Sequence, residues 1–127
     1  MKRHEAREQA FFLIFERTFQ EASLEELVES AQLARDITIC GFAQNVFHGV
    51  EKHGEEIDGM IEKHCIGWTK NRLSRVAVSV LRTAVYEMLY EEDVPAKVAI
   101  NEAVELAKQY GTDNSPSFVN GVLAKLV

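Results

Sequence analysis

Hydrophobic positions recur along the whole chain at spacings of three and four residues, and no stretch alternates apolar and polar residues as a β-strand would. Such spacings place side chains on one face of an α-helix. Glycine and proline are scarce, with seven and two copies, and no linker or low-complexity stretch interrupts the pattern. The sequence therefore predicts an all-α protein, with a single domain over residues 1–127 and six or seven helices.

Start and stop signals divide this pattern into helices. Ser23 and Glu26 have the spacing of a capping box, and Ser115-Pro116 is a helix start signal. Pro95 suits a first helical turn, where its missing N–H costs nothing, and Gly111 suits a left-handed cap. Helices are predicted over residues 3–19, 23–35, 39–64, 71–90, 95–110 and from 115 onward.

Two of these predicted helices differ from the rest. Residues 39–64 carry Gly49, Gly54 and Gly59, each of which lowers helix propensity by roughly 1 kcal/mol relative to alanine. These glycines either permit a close helix contact or mark a bend. Residues 71–90 are almost continuously apolar, which predicts a central and deeply buried helix.

The composition is that of an ordinary soluble domain, with 46% hydrophobic and 27% charged residues. No run of 18 apolar residues occurs, so we expect no membrane span, and residues 1–10 show no secretory signal. Cys40 and Cys65 are too few for a disulfide scaffold. We therefore expect two reduced thiols in a cytoplasmic protein.

The formal net charge of −6 argues against a basic surface over the whole molecule. Positive charge is nevertheless concentrated in places, because no acidic residue lies between Glu62 and Glu87. Such asymmetry suggests a local face for a polyanion. The cations of this window are Lys63, Lys70, Arg72, Arg75 and Arg82, and a second group at the N-terminus comprises Lys2, Arg3 and Arg7.

Catalytic and metal-binding patterns are missing from the sequence. It contains no P-loop, no G-x-G-x-x-G and no G-x-S-x-G. His48 and His53 are five residues apart and so point in different directions on a helix, unlike the usual metal-binding pair at i and i+4. We expect no enzymatic activity, no metal and no cofactor.

Two polar sites interrupt apolar stretches. Asn101 would need a hydrogen bond if buried, because an unpaired amide costs about 1–3 kcal/mol, and we expect that bond to reach a neighbouring helix. Asn120-Gly121 interrupts residues 118–123. Glycine is tolerated inside a helix where another helix or a ligand approaches the backbone, and the pattern alone favours a helix.

Several segments closely resemble the NusB family. The resemblance is carried by Val-Pro-Ala-Lys-Val-Ala-Ile-Asn-Glu-Ala-Val-Glu-Leu-Ala at residues 94–107 and by Phe-Val-Asn-Gly-Val-Leu at residues 118–123. Residues 81–89 and Ala-Arg-Glu-Gln-Ala at residues 6–10 also match. Residues 20–66 match only as a helical pattern.

Membership in this family implies two packed three-helix bundles and a function without catalysis. NusB proteins bind boxA, a short single-stranded RNA in ribosomal RNA leaders, jointly with the small-subunit ribosomal protein NusE. The pair joins an elongating RNA polymerase complex and suppresses premature termination. Family members can also self-associate over the RNA surface, so the resemblance allows a homodimer.

The resemblance also assigns RNA contacts to particular residues. Cations would track phosphates, and aromatic rings would stack on unpaired bases. We expect these residues to converge if the first and last helices lie side by side, although Phe118 could instead be a core residue. The candidate RNA-binding residues are Lys2, Arg3, Arg7, Phe15, Asn114, Phe118 and Asn120.

Three positions depart from the family pattern. His4 and Glu5 stand where relatives often carry arginine, and Ser117 replaces a lysine before Phe118. Because phosphate contacts set affinity and its salt dependence, we expect weak RNA binding by the protein alone and a larger contribution from NusE. Two alternatives remain open: the RNA-binding domain of an rRNA cytosine methyltransferase, and a structural helical module that oligomerises through its apolar faces.

Overall fold

The computed structural model describes residues 2–65 and 73–127, and this part of the chain contains seven α-helices and no strand. The predicted all-α class is therefore confirmed. No helix within residues 2–65 and 73–127 combines the length and the hydrophobicity that a transmembrane span requires. The helices are α1 (Arg3–Arg17), α2 (Leu24–Arg35), α3 (Gly41–Lys52), α4 (Gly54–His64), α5 (Arg75–Tyr90), α6 (Ala96–Tyr110) and α7 (Ser115–Ala124).

Local capping explains where several helices begin. The Ser23 hydroxyl accepts a hydrogen bond from the Glu26 backbone N–H at 3.1 Å, as the capping-box spacing predicts. Ser74 caps α5 in the same way, while the predicted start of that helix at residue 71 lies outside the described residues. Pro95 immediately precedes α6 as its N-cap, one position before the first helical turn in which it was expected.

The left-handed cap predicted at Gly111 is wrong. Gly111 has an extended backbone with φ −97° and ψ −164°, which any residue can adopt. Space is what excludes a side chain there, because a Cβ would lie 2.6 Å from the Ser115 hydroxyl and 2.8 Å from the Ala107 carbonyl oxygen. The left-handed C-cap belongs instead to Asp36, with φ 52° at the end of α2.

The long helix predicted over residues 39–64 is two helices that meet at His53, which has φ −106° and ψ 23°. Gly54 begins the second of them, so a bend occurs beside one of the three glycines. Gly49 serves the other expected purpose, because a Cβ there would overlap the ring of Tyr86 on α5. Close contact and bend are thus both present, at different glycines.

The helices pack as two groups that share α5. Helix α1 packs against α2, α3 and α5, while α5, α6 and α7 pack against one another. Helix α4 contacts α3 and α5, and Asp58 on α4 accepts two hydrogen bonds from Arg82 on α5 at 2.9 and 3.0 Å. The expected arrangement of two packed three-helix bundles is therefore found, with α5 as the buried centre predicted from its apolar sequence.

Candidate nucleic-acid interface

Arg3 begins α1 and Lys2 is its N-cap, and both are exposed. The Arg3 guanidinium lies 4.2 Å from the centroid of the Phe42 ring. No carboxylate of residues 2–65 and 73–127 lies within ion-pair distance of either cation. An arginine on a ring keeps its positive charge and its outward N–H groups, so Arg3 remains suited to a phosphate.

Arg7 lies in a different setting from these two cations. Its side chain is only 5% exposed, and its Nε donates to both carboxylate oxygens of Glu87 on α5 at 2.8 and 3.0 Å. The expectation of a surface arginine at this position is therefore corrected. The physical reason is Glu87, which is itself 1% exposed and needs a cationic partner in the interior.

Other ionisable groups surround this pair. The Nη1 atom of Arg7 lies 4.0 Å from a carboxylate oxygen of Glu102 on α6. Glu102 also pairs with His4 at 2.6 Å, and this hydrogen bond raises the pKa of His4. Burial raises the pKa of Glu87, while the Arg7 guanidinium opposes that increase. These contacts hold α1 against α5 and α6, so Arg7 has a positioning role in this structure.

Four aromatic rings form a row along α1 beyond the Arg7–Glu87 pair. We name this row, which consists of Tyr110, Phe11, Phe15 and Phe19, the ring row. Ring centroids are separated by 5.2 Å between Tyr110 and Phe11, 6.0 Å between Phe11 and Phe15, and 5.0 Å between Phe15 and Phe19. Phe15 is half-buried and Phe19 is 59% exposed. Phe11 is only 1% exposed, so the candidate stacking residue Phe15 and its neighbour Phe19 are the rings of this row on the α1 side that reach the surface.

Tyr110 connects the ring row to the loop before α7. Its hydroxyl donates to a carboxylate oxygen of Glu8 on α1 at 2.7 Å. Burial and this hydrogen bond raise the pKa of Tyr110 to about 12. The tyrosine was not among the predicted site residues, and a helix-terminal aromatic gives no signal in the sequence that it will bridge two helices.

Two arginines stack on phenylalanine rings of this region. Arg35 stacks over Phe12 at 4.2 Å and pairs with Glu16 at 3.1 Å. Arg75 stacks over Phe19 at 4.1 Å. Arg75 was also not among the predicted site residues, although the stretch without acidic residues between Glu62 and Glu87 contains it. Lys70 and Arg72 of that stretch lie outside the described residues.

Helix α7 presents polar and small residues to solvent. Asn114, Ser117 and Asn120 are exposed, and Phe118 is half-buried against the core. A Cβ on Gly121 would meet nothing within 4 Å, so the helix contact that the pattern favoured there is wrong. The expected buried hydrogen bond of Asn101 is wrong for a similar reason, because Asn101 is exposed.

The expected side-by-side packing of the first and last helices needs a correction. Helix α7 packs mainly against α6 and α5, and α1 has no extensive contact with it. The end of α6 lies between them, since Tyr110 contacts Phe11 and Glu8 of α1 and is followed by the loop to Asn114. Tyr110 therefore joins Phe11 of α1 to the loop that contains Asn114, whereas Arg7 faces Glu87.

The described residues thus form an all-helical protein whose surface combines exposed cations, aromatic rings and amides. These are the groups by which proteins hold single-stranded nucleic acids. The family model described as "NusB family" matches residues 4–127. The chain belongs to the NusB family.

Individual relatives and solved structures agree with this assignment. Transcription antitermination protein NusB of Bacillus subtilis (strain 168) is 43% identical over 126 residues, which cover 99% of this chain and 95% of that protein. The corresponding protein of Clostridium novyi (strain NT) is 38% identical over 131 residues, which cover 100% of this chain and 98% of that protein.

Two solved structures extend the likeness to the fold. The structure of T. maritima NusB has a TM-score of 0.85 and 35% identity, covering 99% of this chain and 90% of that one. A structure of antitermination factors NusB and NusE in complex with dsRNA has a TM-score of 0.86 and 27% identity, covering 99% of this chain and 97% of the matched chain.

Proposed function

We propose that this protein is a cytoplasmic transcription antitermination factor that acts without catalysis. It binds single-stranded boxA-type RNA of ribosomal RNA leaders together with the ribosomal protein NusE, and the pair joins the RNA polymerase elongation complex. Family membership supports this function. A similar solved structure contains NusB, NusE and RNA, which supports the same partners here.

The observation that carries the proposal is the surface formed by Phe15 and Phe19 of the ring row and by α7 in an acidic protein. Phe15 is half-buried, Asn114 and Asn120 are exposed, and a Cβ on Gly121 would meet nothing within 4 Å. Lys2 and Arg3 supply positive charge at the start of α1. The proposed RNA contacts are Lys2, Arg3, Phe15, Asn114, Phe118 and Asn120, with Arg7 acting through the position of α1.

The direct test is a titration of the purified protein with a fluorescent boxA-type RNA, with and without NusE. A scrambled single strand of the same composition is the matched control. We expect tighter binding to the boxA-type strand and a further gain when NusE is present. Equal binding of both strands in both conditions would refute the proposed function.

The two alternatives make different predictions. The chain spans 95% and 98% of two curated relatives that are antitermination proteins, which does not favour the methyltransferase alternative. A homodimer is compatible with the proposed function if it forms over the RNA surface. In that case RNA shifts the protein from dimer to monomer in analytical ultracentrifugation, whereas a purely structural oligomer keeps its mass when RNA is added.

A further inference from the structure

We propose that Phe19 and Arg75 form an additional nucleotide-binding subsite at the C-terminal end of α1. One unpaired RNA base stacks on the exposed surface of this ring–guanidinium pair, and the remaining N–H groups of Arg75 donate to the phosphate backbone. The inference rests on the proposed RNA-binding function and extends the interface beyond Phe15. It arises from the geometry of the pair and from the charge available there.

The position of Arg75 is fixed by two contacts. Its guanidinium carbon lies 4.1 Å from the centroid of the Phe19 ring, and Nη1 donates to the Thr18 carbonyl oxygen at 3.3 Å. Thr18 is the C-cap of α1. A guanidinium held on a ring in this way is ordered before binding, so less conformational entropy is lost when it contacts a nucleotide.

The charge of Arg75 is also available, unlike that of most other described arginines. Those that lie within 4.0 Å of a carboxylate oxygen are Arg7, Arg17, Arg35 and Arg82. Among residues 2–65 and 73–127, only Arg3 and Arg75 have no such carboxylate, and both rest on rings. An arginine without a carboxylate partner can neutralise a phosphate without first breaking an ion pair.

The aromatic half of the pair is unusually exposed for a phenylalanine. Phe19 is 59% exposed, although burying such a side chain would stabilise the protein by about 1.5–3 kcal/mol. Its ring lies edge-on to Phe15, 5.0 Å away between centroids. The pair is therefore continuous with the proposed stacking residue, and one RNA strand can contact both.

The subsite also fits the thin N-terminal basic segment. His4 and Glu5 occupy positions where the resemblance leads us to expect arginine. The charge of Arg7 is already paired with the Glu87 carboxylate. Arg75 restores one positive charge at the opposite end of α1. The same number of phosphate contacts can thus be distributed along the whole helix rather than concentrated at its start.

The test compares RNA binding by four variants over a range of salt concentrations, using the boxA-type RNA as probe. Phe19→Ala should lower affinity about tenfold, as expected for the loss of one base–aromatic stack. Arg75→Gln should weaken binding and reduce the slope of log affinity against log salt by about 0.7. Arg75→Lys should retain the slope because the charge remains, yet bind more weakly because ammonium does not stack.

Lys97→Gln is the matched control, because it removes an exposed positive charge from α6. Circular dichroism melting curves establish that each variant is folded. If wild-type protein prefers boxA-type RNA while Phe19→Ala and Arg75→Gln bind like the control, the subsite is refuted and the proposed function stands. If wild-type protein shows no preference with or without NusE, both fail. Loss of NusE binding with unchanged RNA binding would also overturn the subsite and indicate a protein contact.

Discussion

Two arginines one turn apart on α1 show how differently one residue type is used in this protein. Arg7 is 5% exposed, donates to Glu87 at 2.8 Å and joins three helices in the interior. Arg3 lies one turn earlier, is exposed, and stacks on the Phe42 ring. Within residues 2–65 and 73–127, no carboxylate lies within ion-pair distance of it. The first arginine is a structural residue and the second is available to a ligand.

The difference lies in what the rest of the fold brings to each position. Both arginines belong to the same basic N-terminal group in the sequence, and the resemblance assigned both to RNA. Glu87 is 80 residues away from Arg7 along the chain, and folding buries the two together. An interior ion pair should therefore govern stability, whereas the surface cations and rings should govern RNA binding and its salt dependence.

The largest expected effect is on stability, from Arg7→Met. This variant leaves the Glu87 carboxylate buried without a cation, which costs about 3–5 kcal/mol when one partner of an interior pair is removed. Urea denaturation, followed by circular dichroism, measures the change in the free energy of unfolding. The double variant Arg7→Met/Glu87→Leu should recover much of that loss, because it removes both charges and keeps apolar volume.

Two results would contradict this interpretation of Arg7. A loss of no more than about 0.5 kcal/mol, typical of a surface substitution, would show that the pair is not structural. A flatter salt dependence of RNA binding in the folded variant would show that Arg7 contacts phosphate. We expect the slope to be unchanged, since its side chain is buried.

Arg3→Gln should give the opposite pattern with a smaller effect. Loss of one phosphate contact should weaken RNA binding several-fold and reduce the salt slope by about 0.7. Stability should fall by no more than about 1 kcal/mol, the upper value for an exposed cation–ring contact. Fluorescence anisotropy at several salt concentrations measures the slope, and the exposed Lys52→Gln on α3 is the charge-matched control. Equal slopes for both variants would remove Arg3 from the interface.

The contrast between these arginines also shows which features could be predicted from the sequence: local ones could, and contacts between distant residues could not. Spacing and capping signals located the helices well, because periodicity and caps are local properties, as at Ser23. The break at His53 was missed, since three glycines along one helix do not say which of them bends the chain. The extended backbone of Gly111 was missed because its requirement for space comes from Ser115, a contact that exists only after folding.

The candidate site was less predictable than the fold. The resemblance assigned Phe15 and Asn114 to the candidate RNA interface, and the structure leaves Phe15 half-buried and Asn114 exposed. Burial of Arg7 could not be predicted, because it depends on a partner from α5. Tyr110 and Arg75 could not be singled out in the sequence, because their contacts with the Phe11 and Phe19 rings exist only after folding.

Gly121→Ala tests the exposed face of α7 with a smaller change. A Cβ there meets nothing within 4 Å, so the variant should gain up to about 1 kcal/mol of stability from helix propensity. RNA binding should nevertheless weaken if the strand approaches this backbone. Gly49→Ala is the matched contrast, because its Cβ overlaps the Tyr86 ring and should destabilise the protein. Unchanged RNA affinity in Gly121→Ala would place the strand away from this turn of α7.

The smallest expected effect concerns His4, which lies at the boundary between the interior pair and the surface. Its hydrogen bond to Glu102 raises its pKa above 6.5 in the folded protein, against the opposing effect of burial. The charge on Glu102 adds to the increase, as do the charges on Glu8 and Glu105. Stabilisation by protonated His4 is therefore fully present below pH 6.5 and is lost as pH rises through the folded-state pKa.

The measurement is the difference in melting temperature between wild-type protein and His4→Gln at pH 6 and pH 9. We expect a larger advantage for the wild type at pH 6, because there the histidine carries its charge beside the Glu102 carboxylate. Taking the difference between two proteins cancels the contributions of the other titrating groups. The same difference measured in a Glu102→Gln background should lose most of its pH dependence, because Glu8 and Glu105 make the smaller contributions. The effect should be small, since the His4 side chain is 40% exposed and solvent screens its charge. A constant difference across this range would mean that the contact is too weak to hold the start of α1 against α6.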